Sequence, residues 1–368
     1  MFQMFQNTSL TTSNQLWIHT SKYVLLRKNV HLFSQRSFFP FQTMRDNYPN
    51  PKMIDMMKKV PQNRLIKMLN PARKKKERFE AICQHLKDND FDVVFLQEVW
   101  FEKDYEFLKE CLNGTGYTFS NCDSECGTNS VMLSLFFKSI SFFHNVDFQM
   151  SLVGCSGLVT MSRYQLSNEM TAPLPKGELY TTLSKPEDLM SYIQFGIQRK
   201  VLIHDLFVDD VCTIRLVNTH FSPSDTFSAL RERQAREVIR NLDTTTKYNM
   251  TVLGMDLNDE PFQNSHWTAS YRVFKNANFS DGFNEEFDTN MAYPVTFADE
   301  TNSWTTKNSK TLDYIMVLPH EIDVENNGHV IVQEAGFVDI AVQDLKTTNG
   351  HSFSEHNSVN ATIWLQYY

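Results

Sequence analysis

The sequence predicts an α/β domain in which strands dominate. Three apolar stretches, Phe91–Gln97 (FDVVFLQ), Thr251–Leu253 within TVLGMDLNDEP and Thr311–Leu318 (TLDYIMVL), have the length and continuity of strands buried on both faces. Between such stretches, apolar residues recur at helical spacing, as in Phe79, Ile82, Cys83 and Leu86 and again in Phe227, Leu230, Val238, Ile239 and Leu242. The chain has 368 residues, 41% apolar and 21% charged, which supplies a full core and excludes global disorder. A formal net charge of −8 weighs against a broad basic surface for nucleic acid. A nuclease remains open, because a divalent metal can supply local positive charge.

Residues 1–21 are rich in Thr, Ser, Asn and Gln and read as a loose tail ahead of a single domain spanning 22–368. The first strand is expected over Tyr23–Phe33, where Asn29 stands among apolar neighbours and needs a polar partner. Residues 35–70 carry aromatics, prolines and methionines without a period and read as an insert with one short helix near Pro51–Lys59. Asn70-Pro71 then caps a helix whose RKKKER run is a solvated face. Glu98 ends the Phe91–Gln97 strand, and a helix follows from about Lys103 to Leu112.

Val131–Phe148 is phenylalanine-rich and reads as a hairpin or two strands, Ser156–Arg163 as a strand, and Glu169–Ser191 as loop-rich. Cys212–Asn218 alternates apolar and polar residues and delivers Thr219-His220 at its end; the SPSD segment beyond it caps a helix. In TVLGMDLNDEP, Asp256 and Asn258 stand two apart, and an extended chain would send both side chains from one face. Such hard oxygens suit Mg²⁺ or Ca²⁺ and a phosphate, although alone the segment is equally a polar turn. Asp313 lies inside an apolar strand, and SFSEH, with Glu355 and His356, precedes the last strand, Val359–Leu365.

The six cysteines show no zinc spacing and read as ordinary buried thiols, with Cys122–Cys126 as the candidate loop disulfide. No stretch reaches the roughly 18–20 apolar residues of a membrane span. The N-terminus also lacks a secretory pattern, which gives an expectation of a cytoplasmic or peripheral membrane protein. Five Asn-x-Ser/Thr sequons carry little weight in an Asn-rich chain.

Taken together, KNVHLF, FLQEVW, NTHF, GMDLN, LDYI and SEH resemble, in order, the motifs of the endonuclease/exonuclease/phosphatase superfamily, across about residues 22–368. Within it, LQEVW, SGLVTMSRY, the Arg231-x-x-Gln234-Ala235-x-Glu237 pattern and DLNDEP are most similar to neutral sphingomyelinases. The resemblance implies a four-layered α/β/β/α sandwich with two packed mixed sheets, as in deoxyribonuclease I. It implies Mg²⁺, with Mn²⁺ as a substitute, held by Glu98, Asn29 and Glu355. It further implies His356 as general base, Asp313 orienting its ring, Asp256 and Asn258 positioning water and phosphate, and His220 serving the leaving oxygen.

The implied activity is hydrolysis of sphingomyelin to ceramide and phosphocholine, with a phospholipid substrate, peripheral membrane contact and no protein partner. The aromatic segments Phe38–Phe41 and Phe136–Phe143 are the candidate lipid contacts. A nuclease or deadenylase on the same fold is the alternative, with nucleic acid disfavoured by the acidic balance. Two departures point to a third reading, a binding homologue that has lost its chemistry. Glu355 stands where the pattern has Asp, one methylene longer, and Met255 replaces a glycine before Asp256.

Overall fold

Among the described residues of a computed structural model, two six-stranded sheets stack face to face. The structure describes residues 14–24, 75–121 (apart from 90, 100 and 101), 157–176, 199–283 (apart from 209–211, 224–226, 243–247 and 264–265), 293–320 (apart from 298–299 and 304–308) and 332–367. The elements in chain order are β1 (Asn14–Val24), α1 (Lys75–Asp88), β2 (Val93–Val99), α2 (Glu102–Cys111), β3 (Thr118–Phe119), β4 (Gly157–Ser162), β5 (Leu166–Pro173), β6 (Lys200–Phe207) and β7 (Thr213–His220). They continue as α3 (Ser228–Asn241), β8 (Met250–Asp256), β9 (Phe262–Gln263), β10 (His266–Trp267), α4 (Ala269–Asn276), β11 (Ser280–Asp281), β12 (Asp313–Pro319), β13 (Val332–Gln343) and β14 (Ser358–Tyr367). The first sheet runs β13-β14-β1-β2-β4-β3 and the second β11-β12-β8-β7-β6-β5. Both mix parallel and antiparallel pairs: β1 with β2 and β7 with β8 are parallel.

Alternation along β2 explains the four layers. Val93 and Phe95 face the second sheet and join the core formed with β6, β7, β8 and β12. Val94 and Leu96 point the other way, into a cluster with Phe79, Ile82, Cys83 and Leu86 of α1 and Tyr105 and Leu108 of α2. On the far side, Ala235 and Val238 of α3 and Tyr271 and Phe274 of α4 cover the second sheet. The sandwich inferred from the motifs is the observed fold.

The sheets come close together at Gly254, where a Cβ would fall 2.4 Å from Cδ2 of Phe95. Met255, which stands where the motif has glycine, is the next residue of β8. Its side chain therefore takes the opposite face, where it is fully buried. A polar rivet sits nearby. Asn218 of β7 donates from Nδ2 to the carbonyls of Leu96 (3.1 Å) and Val159 (3.0 Å), and its Oδ1 accepts from Gln97 Nε2 at 2.7 Å.

Three expectations need correction. The first strand begins at Asn14, inside the stretch read as tail, because its pairing is with the other end of the chain, from Asn14↔Tyr367 to Lys22↔Val359. Leu166–Pro173 is a strand where a loop was expected to begin; it is a sheet edge with mostly exposed residues, so no apolar alternation marks it. Cys83 and Cys111 form a disulfide, joining α1 to α2 across 28 residues, and Cys212 is buried. Cys122, Cys126, Asn29, the 35–70 insert and Phe136–Phe143 lie outside the described residues.

Candidate active site

The polar residues gather where β2, β7 and β8 end, where β12 begins and where the 352–357 loop leads into β14. Parallel pairing places His220 level with Asp256, and antiparallel pairing places Asp313 level with Asp256. Three side chains are thus brought together by sheet register alone. His356 arrives from the loop, held by an antiparallel bridge to Phe297, whose ring lies 4.9 Å from the imidazole. Thr296, next to Phe297, accepts through Oγ1 from the amides of Leu312 and Asp313 and through its carbonyl from the amide of Asn357. The segment thereby ties the start of β12 to the His356 loop.

His356 Nδ1 lies 2.8 Å from Asp313 Oδ2, with both residues buried. Its Nε2 is 3.9 Å from Asp256 Oδ2, which in turn is 3.4 Å from His220 Nε2. His220 Nε2 is also 3.9 Å from Glu98 Oε1. A continuous buried chain therefore runs Asp313, His356, Asp256, His220, Glu98.

Glu98 enters it by way of a β-bulge. Between the pairs Leu96↔Val159 and Val99↔Gly157, two residues of β2 oppose one of β4, and Glu98 takes φ 65°. Such a conformation costs a non-glycine residue about 1–3 kcal/mol and re-aims the side chain.

Asn258 departs from the extended-chain expectation. β8 ends at Asp256, and Asn258 adopts φ 53°, its amide donating to Asp256 Oδ1 at 2.9 Å in an Asx turn. Its Nδ2 donates to the carbonyl of Phe221 at 3.0 Å, so the carboxamide joins the loop after His220 to the loop after Asp256.

Glu355 is partly buried beside Arg78 of α1. The buried Arg78 guanidinium donates through Nε to the carbonyl of Phe353. Burial lowers its pKa to about 10, against the opposing pull of Glu355 and then Glu98. It stays charged at neutral pH and offsets part of the negative charge on those two carboxylates.

The donor set fits a hard divalent cation. Glu98, Asp256 and Asp313 are three buried carboxylates in one small volume, an arrangement that is costly without positive charge. Ligand atoms of Asp256, Asp313 and His356 all lie within 4.8 Å of one another. We read Asp313 and His356 as a hydrogen-bonded pair rather than as ligands, because the 2.8 Å contact already engages Nδ1 with the carboxylate. Sequence reasoning missed Gln97 and Asn218, whose signal was a buried amide in each of two apolar strands.

No protein-family model matches the chain, and no curated protein matches it. Solved structures do resemble it. The human Nocturnin catalytic domain with bound sulfate aligns at TM-score 0.53 and 16% identity, over 96% of this chain and 97% of that one. TDP2 of D. rerio, complexed with a single-strand DNA product, aligns at 0.51 and 15%, over 94% and 98%. An endonuclease/exonuclease/phosphatase family protein of Bacteroides thetaiotaomicron aligns at 0.50 and 15%, over 95% and 98%. The architecture shared with these structures is the endonuclease/exonuclease/phosphatase, deoxyribonuclease I-like fold.

Proposed function

We propose that this chain is a Mg²⁺-dependent phosphodiester hydrolase whose substrate is sphingomyelin or a related choline phospholipid. The buried run from Asp313 through His356, Asp256 and His220 to Glu98 carries the reading. With Asp313 accepting from Nδ1–H, the ring tautomer leaves Nε2 of His356 as the proton acceptor, as a general base requires. Asp256 faces both imidazoles and holds the attacking water between them. His220, on the far side of Asp256, donates to the departing oxygen. Mg²⁺, or Mn²⁺ in its place, would be held by Glu98 and Glu355 and would supply Lewis-acid polarisation of a phosphoryl oxygen. Asn29 lies outside the described residues, and its place beside them remains part of the proposal.

The choline-lipid substrate rests on the LQEVW, SGLVTMSRY and DLNDEP segments and on the net charge of −8. Peripheral contact with lipid goes with it; among the described residues no helix is long and apolar enough to cross a membrane. A nucleic-acid substrate is the second reading, favoured by the likeness to D. rerio TDP2 in complex with single-strand DNA product.

The test is a substrate panel. Sphingomyelin vesicles, single-stranded DNA and RNA are each offered with Mg²⁺ and with EDTA. EDTA-sensitive phosphocholine release from the vesicles supports the proposal, and EDTA-sensitive nucleotide release alone replaces it with the second reading. Silence of folded protein on all three favours a binding homologue.

A further inference from the structure

The loops after His220 and after Asp256 are joined by more than the Asn258 contact. Phe221 N donates to Asp256 O at 2.9 Å, and Asn258 Nδ2 returns to Phe221 O at 3.0 Å. Behind them lies Arg231 of α3, 2% exposed. Its Nη1 donates to the carbonyl of Ser222, two residues past His220, at 3.3 Å. Its Nη2 reaches Asp259 Oδ1, one residue past Asn258, at 3.2 Å.

Asp259 is fixed in turn. Oδ2 accepts from Ser270 Oγ at 2.6 Å, and its carbonyl accepts from Tyr314 OH at 3.0 Å. One helical turn on from Arg231, Gln234 accepts from Ser222 N at 3.0 Å and donates from Nε2 to Ser222 Oγ and to Pro175 O, each at 3.0 Å. The contacts close a ring: the His220 loop, the Asn258–Asp259 turn, Arg231, and back to Ser222.

We propose that Arg231 and Asp259 are positioning residues that lock His220 and the Asp256–Asn258 turn into one rigid unit. The role assigned to them rests on the hydrolase reading above. The geometry gives its reason. His220 ends a strand, with the Phe221–Asp256 bond just past it, and Asn258 sits in a left-handed turn beyond the end of β8. A guanidinium fork meeting a carbonyl and a carboxylate fixes both distances at once. Displacement of a reacting group by about 1 Å lowers turnover by on the order of 100-fold.

The experiment uses the full chain as Asp259→Asn, Arg231→Met, Arg231→Lys and the Asp259→Asn/Arg231→Met double variant. Folding is checked by thermal melting. Turnover of bis(p-nitrophenyl) phosphate with Mg²⁺ should fall by about 100-fold in Asp259→Asn and Arg231→Met. KM should stay within about threefold, the double variant should be no worse than either single one, and Arg231→Lys should recover about tenfold. A second readout needs no activity. In ¹⁵N-histidine-labelled protein, the His220 ring signals, identified by their loss in His220→Gln, should shift in Asp259→Asn but not in the helix-face variant Glu237→Gln. Folded Asp259→Asn with wild-type turnover and unmoved His220 signals overturns the inference. If wild type hydrolyses neither bis(p-nitrophenyl) phosphate nor sphingomyelin vesicles, DNA or RNA, the hydrolase reading fails, and the ring signals alone decide the positioning role.

Discussion

Lowering the pH from 7 to 4 should cost this fold stability through His204, a residue remote from the chemistry. His204 sits in the middle of β6, 1% exposed, and neither ring nitrogen has a hydrogen-bond partner among the described residues. Burial is the main force on its pKa, pulling it from 6.5 to about 4, with Asp205 opposing. The unfolded chain therefore takes up a proton near pH 6.5 while the folded chain resists until about pH 4. Above pH 6.5 the ring is neutral in both states and costs nothing. As pH falls through the window, unfolding gains a proton, and the accumulated loss is about 3 kcal/mol at 1.36 kcal/mol per unit. Glu169 Oε2, 3.9 Å from Nε2, would pair with a protonated ring, so this figure is an upper one. The assay is urea unfolding of wild type and His204→Gln at pH 7, 5.5 and 4. The gap between the two should move by about 3 kcal/mol in favour of the variant as pH falls. Parallel stability curves would refute the reasoning, since carboxylates titrate alike in both proteins.

Other outcomes follow from the same contacts. Asp313→Asn, presenting an amide to Nδ1, should hold the wrong tautomer of His356 and lower kcat by about 10²–10⁴-fold with little change in thermal stability, read by steady-state kinetics beside a melt. Gly254→Ala forces a methyl against the Phe95 ring and should destabilise by about 1–3 kcal/mol in denaturant unfolding. Asn218→Ala leaves the Leu96 and Val159 carbonyls and the Gln97 amide short of a partner and should cost about 2–4 kcal/mol in the same assay. Reducing Cys83–Cys111, or replacing both cysteines with alanine, reopens a 28-residue loop and should cost about 3–4 kcal/mol by the chain-entropy estimate. A non-reducing peptide map reports whether the bond is present, and its persistence would speak for an oxidising compartment over a cytoplasmic one.

Much of the site was legible because strand ends advertise themselves. Glu98, His220, Asp256 and Asp313 each close or open an apolar run, and register then makes three of them neighbours. Period-2 reasoning failed just beyond the strand, at Asn258, since the preference of asparagine for left-handed φ overrides alternation. It failed also for β5, whose edge position gives no apolar pattern, and for β1, one of whose two partners lies at the far end of the chain. The disulfide was hidden for a related reason. Cys83 and Cys111 stand on separate helices, and only their common packing against β2 brings the Cα atoms to 6.3 Å. Arg231 and Gln234 showed as a spacing on a helix; what they hold required the loops to be in place.

The proposed chemistry is metal-dependent phosphodiester hydrolysis by the buried histidines and carboxylates. The most direct test is phosphocholine release from sphingomyelin vesicles by purified wild type and His356→Ala at saturating Mg²⁺. Wild type should release phosphocholine, and release should drop by at least about 100-fold in the variant. Equal release from both proteins would contradict that chemistry.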